Sequence, residues 1–315
     1  MKDVQIKVWP ETVGFLPALT SIKIKKDAHR LHVDFSNCRI VSSTGLTTLL
    51  IQVLGAMEGR RSMEWTATYN DQIHDQIARL GWTQALNRYA KASDLFRIEE
   101  QARSKVISED DSCVLTSYPI HVIGYTDFDN RREATDEVID YISDCLDDYA
   151  SRFRIHRSGL LTIINELSKN AADHTKEDGF IALDTIEKPE TLVINFVFGD
   201  MGDGIKAHIG RSSTIRDKRR KKFSLYEAYY YAFKKGITGG DKSINRGLGL
   251  SIVSEGAKTI QLALSVFDAR SRGLIENLTK YTHSNIRKHL YEITTIHGFF
   301  YSGLYSCNKI ARQVT

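Results

Sequence analysis

Between residues 166 and 253, three polar segments follow one another in fixed order, each at the end or start of an apolar element, and few folds use all three. The first is Glu166-Leu-Ser-Lys-Asn170-Ala-Ala-Asp173-His174, which closes an apolar run that reads as a helix over Leu160–His174. On a helix, Glu166 and Asn170 lie four apart and Asp173 lies seven from Glu166, so the three project from one face. A carboxylate, an amide oxygen and a second carboxylate on one stripe suit a hydrated Mg²⁺ and an oriented water, because magnesium takes oxygen ligands and keeps several waters. Taken alone, the segment also reads as a solvated polar face.

The second segment, Asp200-Met-Gly202-Asp-Gly204-Ile205, follows the apolar strand Leu192–Phe198, which returns from a strand beginning at Ile181–Asp184. Its glycines allow close backbone approach or positive φ, and an acid at a strand end can accept a hydrogen bond from an exocyclic amine. A tight turn explains the same residues. The third, Arg246-Gly247-Leu248-Gly249-Leu250-Ser251, precedes an apolar helix whose free N–H groups could receive phosphate. No GK[ST] follows it, so it is not a Walker A loop, and no strand-linked GxGxxG pattern marks a dinucleotide site.

In this order the three segments resemble the N, G1 and G2 boxes of the GHKL ATPases, the nucleotide-binding family of gyrase and the histidine kinases. The match runs in register over residues 166–253, with a lid-sized insert between the last two boxes. It implies a Bergerat α/β sandwich over residues 119–315, with ATP as ligand and Mg²⁺ as its metal. Asn170 would then ligate Mg²⁺, and Asp200 would read the adenine amine. Gly202, Gly204 and Ile205 would shape the base pocket, with Gly247, Leu248, Gly249 and Leu250 under the phosphates. Asp173 and His174 match positions that complete the nucleotide site, and Lys242 and Arg246 would face the γ-phosphate. Glu166 matches the family's general base, which must reach a water or hydroxyl in line with the γ-phosphate.

The first half alternates strand-like and helix-like segments. Val4–Val8, Leu31–Phe35 and MEWTATY up to Asn70 read as strands. Phe15–Lys25, an apolar helix from about Leu46, Gln72–Leu80 and Gln84–Ala90 read as helices, the last two broken at Gly81. Short connections of this kind predict a sheet covered by helices, an α/β (α+β) chain. LHVDFSNCRIVSSTGLTTLL resembles the core of STAS domains, the fold of anti-sigma factor antagonists, over residues 1–98, with Ser42 replacing that family's leading aspartate. The resemblance places Thr44 at the phospho-acceptor position, where a phosphate would be tolerated at the helix N-terminus. The plainer reading of Ser42, Ser43 and Thr44 is helix N-cap chemistry. Residues 99–118, polar through EEQARSKVISEDD, read as a linker.

Farther on, Val114–Tyr125 reads as a strand and Arg132–Tyr149 as an amphipathic helix. Residues 206–246 carry KRRKK and GITGGDKSINRG, a long connection of the kind that serves as a lid. The tyrosines of FSLYEAYYYAF read as helix packing, Lys218–Lys222 as a solvated lid face, and GFFYSGLY as a last strand. His156 lacks the surroundings of a phospho-accepting histidine.

With 42% hydrophobic and 26% charged residues the chain can fill real cores, and its net charge of +4 gives little support for nucleic acid. Its four cysteines have no metal-ligand spacing and read as reduced thiols. The N-terminus has no apolar run of signal length, and no stretch suits a membrane span, so a cytoplasmic protein is expected. The leading expectation is an ATP/Mg²⁺-dependent regulator, a GHKL ATPase or serine/threonine protein kinase of anti-sigma type acting on a protein partner. Two others stay open: a clamp that forms a homodimer on ATP and acts on nucleic acid or a protein client, and a non-hydrolysing nucleotide sensor.

Overall fold

The computed structural model describes residues 3–7, 30–57, 64–92, 103–109, 112–124, 131–174, 178–202, 204–205, 209, 225–233, 249–268, 273–275, 290–292 and 299–310. The architecture is α+β. Strands β1 (Asp3–Lys7), β2 (Arg30–Asp34), β3 (Glu64–Thr68) and β4 (Lys91–Ala92) form a parallel sheet in that order. Parallel neighbours need crossover connections. Helix α1 (Ser43–Met57) provides the one from β2 to β3, while α2 (Asp71–Arg79) and α3 (Trp82–Asn87) lead from β3 to β4. The Asn70 side chain caps α2 by accepting from the Ile73 amide at 3.0 Å, and Gly81 at φ +75° ends the run before α3. The expected helix over Phe15–Lys25 lies outside the described residues.

The second sheet has nine described strands. Its order is β12 (Leu290–Glu292), β11 (Gly273–Ile275), β10 (Ala263–Asp268), β13 (Phe299–Asn308), β9 (Thr191–Asp200), β8 (Gly179–Glu187), β6 (Val114–Ser117) and β5 (Val106–Glu109), with β7 (His121–Ile123) also on β8. Every pairing in it is antiparallel. One sequence expectation changes here. The stretch 99–118 is more than a linker, because it supplies β5 and β6. Its polarity reflects an edge strand, with Val106 buried and Ile107 and Glu109 exposed. The expected C-terminal strand is present as β13, and it lies inside the sheet, between β9 and β10.

Both faces of this sheet are covered. Along β8 and β9, Ile181, Leu183, Ile194, Phe196 and Phe198 face a helical layer of α4 (Arg131–Ala150), α5 (Arg157–His174), α6 (Leu225–Ala232) and α7 (Gly249–Thr259). Strand alternation turns Phe180, Ala182 and Val197 the other way, onto the N-terminal unit, where they join Leu50, Trp65 and Trp82 in one apolar core. Helix α1 explains how that face is closed. It carries no charged residue, and residues 43–54 are buried all round, as a helix between two sheets must be. No described helix is long and apolar enough to cross a membrane. Cys38, Cys145 and Cys307 are buried and Cys113 is half-buried, and none of the four forms a disulfide among the described residues.

Candidate functional site

The acidic stripe of α5 meets the glycine at the start of α7. A Cβ placed on Gly249 would lie 2.9 Å from Asn170 Oδ1, 3.1 Å from its Nδ2 and 3.2 Å from Glu166 Oε2. A side chain there would therefore displace the two polar groups. Asn170 Nδ2 is buried and has no hydrogen-bond partner among the described residues. A buried amide left without a partner is costly, so a site that has one is a place where a ligand atom improves the energy. Lys169 Nζ reaches Glu166 Oε1 at 3.4 Å, leaving Oε2 turned towards Gly249. Asp173 and His174 end α5, while their side chains, with Gly247, Leu248, Lys242 and Arg246, lie outside the description. Leu250 is half-buried against the helical-layer core.

Asp200 ends β9 on the same helix-covered face. It is 6% exposed, and its Oδ1 accepts from the Gly202 amide at 2.6 Å. Burial, opposed by that hydrogen bond and reinforced by the nearby charge of Asp268, pushes its carboxyl up to about 7. The turn then rises to Gly204, at φ +76°, where a Cβ would meet the Asp268 carboxylate at 2.8–2.9 Å. Glycine is thus required at 204 twice, for its backbone angle and for space. Ile205 is buried in the helical-layer core.

Asp268 was not among the residues singled out from the sequence. It ends β10 and is 1% exposed. The register puts Asp200, Phe299 and Asp268 in one cross-strand row, so the two acids share a face with a single strand between them. A signal does exist in the sequence, since LVINFVFGD and LALSVFD are both apolar strands that end on aspartate. Only the strand order makes them neighbours. Tyr301 of β13 and Tyr229 of α6 complete this end of the site, both held well above the ordinary tyrosine range by burial first and these carboxylates second.

Thr44 lies elsewhere. Its backbone amide and that of Ser43 donate to Asp184 at 3.0 and 2.9 Å, and its hydroxyl donates to the same carboxylate at 2.5 Å. Asn195 Nδ2 in turn donates to the Thr44 hydroxyl at 3.1 Å. Asp184 and Asn195 are paired neighbours on β8 and β9, on the face opposite the helical layer. Thr44 is fully buried there, with the whole sheet between it and Glu166. The α1 N-terminus already holds an anion, and that anion is the chain's own carboxylate. Ser42 keeps its cap role, its Oγ accepting from the Gly45 amide.

Comparison with protein-family models, with curated proteins and with solved structures gave no match. The assignment therefore rests on the residues. The donor set is chemically suited to Mg²⁺, offering an amide oxygen and a carboxylate rather than thiolate or imidazole. Among the described residues no group of three or more His, Cys, Asp or Glu could hold a metal.

Proposed function

We propose that this chain is an ATP/Mg²⁺-dependent regulatory protein, a GHKL-type ATPase or serine/threonine kinase with a STAS-like N-terminal unit built onto the back of its nucleotide sheet. The observation that carries this reading is Gly249 seated against Asn170 and Glu166, which joins two of the three sequence segments at one helix N-terminus. In it, the first amides of α7 receive phosphate, Asn170 orients the metal, and Asp200 accepts from the adenine amine. Mg²⁺, when bound, supplies charge neutralisation on the phosphates. Glu166 is the group that takes a proton from the attacking water or hydroxyl. Phosphoryl transfer depends mostly on positioning, so turnover can be slow in a correctly formed site.

A phosphoryl acceptor in this reading belongs to a second molecule, because Thr44 is sealed on the other face. The chemistry is tested by titrating the purified protein with ATP and Mg²⁺ in a calorimeter, then measuring phosphate release. Asp200→Asn is expected to abolish binding. Glu166→Ala is expected to keep binding and lose turnover. Absence of binding to any adenine nucleotide overturns the reading, and turnover unchanged in Glu166→Ala favours a nucleotide sensor.

A further inference from the structure

We propose that Asp268 is a positioning residue of the base pocket: it seats the Gly202–Gly204 turn and, as a like charge in Asp200's own cross-strand row, raises the pH above which the pocket takes an adenine nucleotide. The inference rests on the nucleotide reading above.

Three observations on the geometry lead to it. The two aspartates end their strands in register on either side of Phe299, on one face, which puts their backbones about 10 Å apart across two inter-strand spacings. Both side chains are almost wholly withdrawn from water. The Asp268 carboxylate fills the space a side chain at Gly204 would need, so the turn that carries Gly202, whose amide donates to Asp200, rests on Asp268. Among the described residues, the titratable groups facing the pair are Tyr301 from β13 and Tyr229 from α6, and neither brings a positive charge. The Tyr229 hydroxyl is buried beside the Asp268 carboxylate, whose charge helps to hold its proton.

Two acids in one dry row cannot both ionise cheaply, because each charge disfavours the other. Asp200 must be ionised to accept strongly from an exocyclic amine. Burial already delays that ionisation, and a charged Asp268 delays it further, in line with the elevated carboxyl of Asp200. Removing the charge while keeping the shape isolates this effect. Asp268→Asn leaves an isosteric group against Gly204 and should shift the binding midpoint to lower pH.

The test is the affinity for ATP with Mg²⁺, by calorimetry, across a pH series for the wild type, Asp268→Asn and Asp200→Asn. In the wild type affinity should climb as pH rises through about 7. Asp268→Asn should reach the same plateau with its midpoint displaced downwards, binding several-fold tighter than wild type near pH ~6. A purely structural role would weaken binding at every pH alike. A ligand-free measurement accompanies it: the infrared carboxylic-acid band that Asp200→Asn removes should disappear at lower pH in Asp268→Asn than in wild type. Superimposable pH profiles, or an unmoved band, overturn the proposal. Absence of nucleotide binding at every pH overturns the nucleotide reading and this role with it, whereas binding with unshifted profiles sinks the role of Asp268 alone.

Discussion

At the scale of single residues, the site sets function against stability. Asp200 has its carboxyl raised to about 7 from an ordinary value of 3.8, chiefly by burial. An acid raised on folding contributes stability that is fully present below its unfolded value and is lost as pH rises through its folded one. Wild-type stability from this group therefore falls between pH values of about 4 and 7. Asp200→Asn removes the cost of the buried charge, so its melting temperature should exceed that of wild type at about pH 8 by several degrees while nucleotide binding is lost. Calorimetric melts of the two proteins at about pH 5 and 8 check the sign, and the gap should close at the lower pH. Gly249 gives the complementary case. A Cβ there meets only the ends of the Asn170 and Glu166 side chains, which can swing away at small cost. Gly249→Ala should thus leave the melting temperature within about 2 °C and, in the proposed function, reduce turnover at least ten-fold, because it displaces the pair proposed to orient the metal and the water. Phosphate-release kinetics and a thermal melt on the same preparation separate the two effects.

At the scale of elements, α1 is held by its surroundings more than by its own sequence. Its absence of charge over residues 43–57 is legible in the sequence and predicts a buried helix. Its capping is legible only in part, through Ser42, whose Oγ accepts from the Gly45 amide. The carboxylate that satisfies its first amides comes from Asp184, on β8 in the other sheet, and no local pattern links the two. The sequence likewise shows the elements that carry Glu166, Asn170, Asp200 and Gly249, because helical spacing and strand ends are local properties. Asp268 escapes notice since its role depends on β13 running between β9 and β10, a choice of strand order made by the whole sheet. Two variants test the packing. Asp184→Ala leaves buried amides and the Thr44 hydroxyl without their acceptor and should lower stability by about 2–4 kcal/mol in urea unfolding. Gly303→Ala would drive a Cβ to 2.1 Å from the ring of Phe196, which is buried in the helical-layer core, and should destabilise by at least ~1–3 kcal/mol. A stability unchanged by either substitution would contradict the packing described for that strand.

At the scale of the whole molecule, the sequence suggests two modules joined by a linker, whereas the structure fuses them across a shared core. Phe180, Ala182, Val197 and Phe267 of the large sheet pack with Leu50, Trp65 and Trp82 of the N-terminal unit, and β5 and β6 come from the stretch expected to separate them. Polar contacts reinforce the seam: Tyr89 donates to Asp178, beside which Arg88 lies at 3.6 Å, and Ile120 N donates to Leu80 O at 2.8 Å. Asp178 precedes Gly179, the strand partner of Asp200, so the N-terminal unit grips the strand next to the proposed base pocket. Two consequences can be read with one probe. All three tryptophans, Trp9, Trp65 and Trp82, lie in residues 1–98, so indole fluorescence reports the N-terminal unit and its seam with the large sheet, whereas far-ultraviolet dichroism reports the whole chain. If the core is continuous, urea unfolding followed by the two signals gives coincident transitions; independent modules would give two midpoints. Adding ATP and Mg²⁺ then asks whether the nucleotide stabilises a unit it does not touch. At a hundred-fold excess over Kd, ligand binding adds about 2.7 kcal/mol to whatever unfolds with the site. The tryptophan transition should therefore move to higher urea by the same amount as the dichroism. A fluorescence midpoint that stays fixed while the dichroism moves would mean that the N-terminal unit unfolds on its own, and that the seam through Asp184 and Asp178 carries no coupling to the nucleotide.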